Sequence, residues 1–149
     1  MSKQWDNNHD YHSFANSDEV KVNHLSLSLT TNFETKQLTG QVELTLEYIN
    51  SQATELWLDT RDLTITAVLS AVGEALEYCL DKQNDTLGQR LNIQLATATT
   101  HVVIHYHTSL QAQGLHWLTP EQTSGKQLPF CLASRSQLMR VAGSFARYT

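Results

Sequence analysis

The chain has 149 residues, 40% of them hydrophobic and 17% charged, with six glycines and two prolines, which is too apolar for a disordered chain and too poor in glycine and proline for a collagen or a linker. That length fits one domain of ordinary size. The longest unbroken apolar run is Phe130 to Ala133, far short of the roughly 20 residues of a membrane-spanning helix, so no membrane helix is expected.

The net charge of −5 is an average over two unlike parts: residues 1–125 carry six basic groups and all 15 acids, a balance of −9, and residues 126–149 carry four basic groups and no acid, a balance of +4. The acidic body argues against capture of nucleic acid, which needs clustered Lys and Arg. The basic stretch of Lys126, Arg135, Arg140 and Arg147 lacks interleaved aromatics and is a weak candidate for that role. Cys79 and Cys131 have no Cys-x-x-Cys spacing, and no apolar segment follows a basic N-terminus. Two reduced thiols in a cytoplasmic protein are expected.

In chain order, residues 1–19 are polar and irregular and read as an arm laid over a domain. From Val20 the hydrophobic period is two. Val20, Val22 and His24 share a face and then give way to Leu25, Leu27 and Leu29, which is strand alternation with one change of phase. Asn32 to Gln37 supplies turn chemistry. Leu38, Gly40, Val42, Leu44, Leu46 and Tyr48 then alternate with polar residues, so the two segments form a hairpin. Further strands are expected over Ala53 to Asp59, Leu63 to Val72, Leu87 to Leu95 and Val102 to Thr108. Val68 to Leu80 has some helical spacing, but Gly73 interrupts it, and it reads as strand, turn, strand. The expected fold is all-β, mostly antiparallel, a curved sheet or sandwich.

Candidate chemistry is sparse. His101, His105 and His107 fall on one strand face because their separations are even. Two imidazoles at i and i+2 can bind a metal, yet a zinc site needs further convergent ligands, and the alternation alone accounts for the spacing as a solvent-facing row. Asp59 and Asp62 flank Arg61 at a strand end, where a turn with a local ion pair is favoured over acid–base work. No G-x-S-x-G, P-loop, G-x-G-x-x-G or H-E-x-x-H is present, so no catalytic, substrate-binding or metal-ligating residue is assigned. Leu115 to Phe130 (LHWLTPEQTSGKQLPF) differs in character. An apolar anchor of Leu115, Trp117 and Leu118 is broken by Thr119-Pro120 and followed by a polar loop with a tight turn at Ser124-Gly125.

The LTG of Leu38 to Gly40, the LDTRDLTI of Leu58 to Ile65 and above all the LHWLTPEQTSGK of Leu115 to Lys126 resemble the N-terminal domain of the aminopeptidase N type of zinc aminopeptidases, in particular the leukotriene A-4 hydrolase branch. The resemblance covers about residues 10 to 130. It implies a saddle-shaped antiparallel β domain, here incomplete, packed on a thermolysin-like catalytic domain that removes N-terminal residues from peptides. In that family zinc sits on an H-E-x-x-H with a further Glu, polarising the carbonyl and activating water. The resemblance therefore implies a non-catalytic front end with no cofactor of its own, whose partner is that catalytic domain and which meets peptide only in the full-length enzyme. A stand-alone β-sandwich module contacting protein or glycan through Thr119 to Lys126 is the alternative, and a small metalloenzyme built on His105 and His107 a third reading.

Past Pro129-Phe130 the family pattern runs Leu-Phe-Ser-Gln-x-Gln, then Ala-Arg and Pro-Cys-Gln-Asp, whereas this chain reads CLASRSQLMRVAGSFARYT. Reading the same nucleotides one frame over, the Phe130 to Cys131 junction spells Leu, and successive junctions permit Phe, Ser, Gln, Ser and Gln. Phe145 to Arg147 permits Cys-Gln. The expectation is a partial family domain over 20–130 and a shifted-frame tail over 131–149, in which Gln137 does not correspond to the family glutamines.

Overall fold

The computed structural model describes residues 15–60, 63–82, 88–96, 99–108 and 115–133. The arm up to residue 14 and the tail from residue 134 lie outside the described residues. Among the described residues every strand pairing is antiparallel. A four-stranded sheet has the order β1-β2-β7-β4, a three-stranded sheet the order β3-β6-β5, and β8 pairs with β9.

β1 (Val20–Asn32) and β2 (Gln37–Tyr48) form the expected hairpin, closed by a turn in which Asn32 Oδ1 accepts the Glu34 and Thr35 N–H groups at 3.0 Å. The change of hydrophobic phase in β1 is a bulge between Val22 and His24. An extra residue in one strand shifts every later side chain to the opposite face. The shift falls one residue earlier than the sequence suggests: His24 leaves the face of Val20 and Val22 and is exposed, while Leu25, Leu27 and Leu29 turn inward.

β3 (Glu55–Thr60) joins the second sheet and β4 (Leu63–Ser70) returns to the first. Thr60, at the end of β3 and 1% exposed, donates its hydroxyl to the carbonyl of Gln89, its register partner on β6, at 3.1 Å. The strand, turn, strand reading of Val68 to Leu80 holds. β4 ends at Ser70, Gly73 adopts a φ of +85° that suits glycine, and β5 (Tyr78–Leu80) follows. β6 (Gln89–Gln94) and β7 (His101–Thr108) complete the sheets.

Both sheets bury one face in a shared core. Val42, Leu44 and Leu46 of β2 and Val102, Ile104 and Tyr106 of β7 meet Leu56 and Leu58 of β3 and Leu91 and Ile93 of β6. The alternation predicts this: in a two-layer β fold each strand sends every second residue inward. Gly40 marks a close approach. A Cβ there would lie 2.7 Å from the Ser28 carbonyl oxygen and 2.5 Å from Leu29 Cδ2.

Asn16 ties the start of β1 to the second sheet. Its Oδ1 accepts the Trp57 N–H at 2.9 Å and its Nδ2 donates to the Glu55 carbonyl at 2.9 Å. One side chain thus supplies the donor and acceptor that a neighbouring strand would offer to the edge of β3. Among the described residues no helix is long and apolar enough to cross a membrane.

Candidate functional site

The LHWLTPEQTSGK segment folds as a hairpin of its own. β8 (Leu115–Leu118) pairs with β9 (Phe130–Ala133), with Leu118 opposite Phe130 and Leu115 opposite Ala133. The polar residues between them hold the loop by local bonds. Thr119 leads into a 3-10 turn over Pro120–Gln122, and its N–H donates to Gln122 Oε1 at 3.0 Å. Pro120 suits the first turn position, where no N–H is needed. The Thr123 hydroxyl lies 2.8 Å from the Pro120 carbonyl and 3.2 Å from that of Leu128. The Lys126 N–H donates to the Thr123 carbonyl at 3.2 Å, with Lys126 at a φ of +51°. Hydrogen bonds from the Thr119 side chain and from its own backbone hold the Glu121 carboxyl below the usual carboxylate range.

The hairpin meets the first sheet at the β1–β2 turn. The Phe33 and Trp117 rings pack edge to face at 5.6 Å with an interplanar angle of 89°, a preferred aromatic geometry. Phe33, Trp117, Leu118, Pro120 and Pro129, with Glu34, Lys36 and Thr119 among them, line an open cavity of about 220 Å³. Its surface is mostly apolar, and Leu128 in the same loop is 75% exposed. Phe33 had no mark in the sequence beyond its place in a turn, since a lone aromatic among polar residues gives no period to read.

The remaining candidates do not assemble a site. His101, His105 and His107 share one face of β7 and are half-buried, opposite buried Val102, Ile104 and Tyr106. Their neighbours are Thr45, Gln41 and Thr39 on β2 and, for His105 and His107, Ala67 and Thr64 on β4. His107 Nδ1 lies 3.4 Å from the Thr108 carbonyl and His101 Nδ1 2.9 Å from the Thr100 hydroxyl. Among the described residues no three His, Cys, Asp or Glu side chains converge in a group able to hold a metal ion. Asp59 lies opposite Arg90 in the β3–β6 register, while Arg61 and Asp62 lie outside the described residues. Cys79 is exposed and Cys131 half-buried, both as free thiols, and burial pushes the Cys131 thiol up.

A polar cluster on the second sheet escaped the sequence reading. The Arg90 guanidinium lies 4.4 Å above the Trp57 ring and 2.6 Å from Asp81. Glu55 accepts from Gln94 Nε2 and Trp57 Nε1, each at 2.9 Å, and these bonds hold its carboxyl low. Residues distant in sequence meet here by sheet register, which no local pattern reveals.

Two antiparallel sheets around one core, with a separate hairpin packed through an aromatic pair, define the β domain. No family model matches the chain. It is 31% identical over 123 residues to leukotriene A-4 hydrolase of Xenopus laevis, covering 79% of this chain and 20% of that protein. It is also 31% identical over 128 residues to leucine aminopeptidase 2 of Vanderwaltozyma polyspora, covering 81% and 19%. Native yeast leukotriene A-4 hydrolase superposes with a TM-score of 0.80 at 25% identity, over 93% of this chain and 22% of that one. The bestatin complex of the yeast enzyme gives 0.82 at 24% identity, a likeness of fold. The chain is a relative of the N-terminal domain of the leukotriene A-4 hydrolase and leucine aminopeptidase family, and it spans about one fifth of the length of the relatives it matches.

Proposed function

We propose that the chain is a non-catalytic β domain of a zinc aminopeptidase of this family. Its role is to carry and orient a catalytic domain that removes N-terminal residues from peptides. The observation that carries the reading is the match itself: four-fifths of this chain aligns with one-fifth of two family enzymes. No H-E-x-x-H occurs in the 149 residues, so the zinc chemistry belongs to residues this chain does not contain. The 115–133 hairpin, with its open apolar cavity and exposed Leu128, is the surface on which the catalytic domain packs. Two free thiols suit a reducing, cytoplasmic setting. In this reading residues 131–149 are a shifted-frame tail. The pairing of Cys131 to Ala133 with β8 is compatible with it, because strand pairing runs through the main chain and accepts many side chains.

The test is an assay of the purified 149-residue chain on leucine p-nitroanilide, with its zinc content measured in parallel. The expected result is no turnover above buffer and no stoichiometric zinc. Turnover by the chain alone overturns the reading. For the tail, sequencing the gene beyond the Phe130 codon is decisive: an open shifted frame leading to an H-E-x-x-H run is expected, and its absence overturns that part.

A further inference from the structure

The free edges of this fold are not alike. β3 has its edge closed by the Asn16 amide. β4 is covered by the chain's own return: the Leu76 N–H donates to the Val68 carbonyl at 2.9 Å, the Ser70 N–H to the Glu74 carbonyl at 2.8 Å, and the Tyr78 hydroxyl reaches the Ile65 carbonyl at 3.4 Å. β5 is only three residues long. β1 is 13 residues long and lies at the end of its sheet. Past its bulge, the main-chain groups of residues 24–31 that point away from β2 meet no partner among the described residues.

Native edges of this length are ordinarily blunted by Lys, by Pro or by inward charges. From His24 to Asn32 (HLSLSLTTN) there is no Lys, Arg, Asp, Glu or Pro. The inward row is also short of cover. Leu25, Leu27 and Leu29 are half-buried, whereas Val42 and Leu44 beside them on β2 are 1% and 0% exposed. The run Leu25-Ser26-Leu27-Ser28-Leu29 reads the same in both directions.

We propose that β1 is an interface for a second copy of this chain, the two β1 strands pairing antiparallel across a two-fold axis at Leu27. In that register Leu27 faces Leu27 of the other copy, Leu25 faces Leu29, and Ser26 faces Ser28. A two-fold perpendicular to the sheet keeps both inner faces on the same side, so the leucine rows cover one another while the serines stay on the polar face. The main-chain groups of residues 24–31 that point away from β2 gain partners, and the four-stranded sheets join into one of eight strands. No like charges oppose each other along the contact. The inference concerns the 149-residue chain as such and stands or falls separately from the proposed function.

The full chain is examined by sedimentation velocity at tens of micromolar, with amide hydrogen exchange of residues 24–31 at low and high concentration. The expected mass is twice the 16.8 kDa of one chain, and β1 protection rises with concentration. Ser26 and Ser28 are exposed, so lysine fits at both in the folded chain. Ser26→Lys with Ser28→Lys sets like charges opposite one another and gives a folded monomer with β1 exchange no longer dependent on concentration. Ser26→Lys with Ser28→Glu places unlike charges opposite in this register alone and restores the dimer. A monomeric wild type with concentration-independent protection of β1 overturns the proposal, as does a double-lysine variant that keeps the wild-type mass. A mixed-charge variant that behaves like the double-lysine one overturns the register.

Discussion

Two residues place the tightest constraints on the hairpin and core. At Gly40 the space for a Cβ is occupied by the Ser28 carbonyl oxygen, which belongs to a paired backbone and cannot swing aside as a side chain could. Gly40→Ala therefore forces β1 and β2 apart, and a loss of about 1–3 kcal/mol is expected from overpacking, read as a lower urea midpoint at unchanged slope. Tyr106 has the opposite defect. It is 2% exposed and its hydroxyl has no hydrogen-bond partner among the described residues, and burial pushes its pKa from 10.0 up to about 12. Below pH 10 both folded and unfolded states keep the proton and stability is unaffected. As pH rises from 10 towards 12 the unfolded tyrosine ionises and the folded one does not, so stability falls by up to about 1.4 kcal/mol per unit. Tyr106→Phe is expected to flatten that alkaline loss and to raise stability at neutral pH by about 1 kcal/mol, since it removes a buried unpaired polar group. Urea unfolding at pH 7 and pH 11 checks both effects. Burial also raises Tyr48, so the variant leaves some alkaline slope behind.

Elements were legible where they carry a period. The two alternating runs from Val20 to Tyr48 announced a hairpin, and the change of phase in β1 was visible, though placed one residue late because a side chain such as His24 suits either face; that a bulge produces it was not. Thr119-Pro120 announced the end of β8. The loop after it was recognisable by composition, but the function of each polar residue in it was not, because a bond such as Thr123 to the Leu128 carbonyl depends on how the loop closes. The contact between the β1–β2 turn and β8 was hidden altogether, as Phe33 and Trp117 are far apart in the chain. That contact is expected to be worth about 0.5–1.5 kcal/mol beyond simple burial. A double-mutant cycle of Phe33→Ala and Trp117→Ala should return a coupling energy in that range. Additive single effects would mean that the hairpin is held by β8–β9 pairing and chain connection alone.

For the whole molecule, the fold class was open to reading because the longer strands show inward alternation, and the family was open because the Leu115 to Lys126 segment is so particular. The polar cluster around Trp57, Arg90 and Glu55 and the clamp at Asn16 were not, since both arise from tertiary register. The strand order has a further consequence for how the domain comes together. β7, late in the chain, is the strand that lies between β2 and β4, with Thr39 paired to His107 and Leu63 to Thr108. Until that strand exists, the β1–β2 hairpin and β4 are two unjoined pieces of one sheet. A ribosome adding about 5–20 residues per second therefore holds them apart for several seconds. Throughout that interval the nascent chain displays the leucine row of β1 and the open flank of β2 together, and shielding them falls to whatever meets the chain as it emerges.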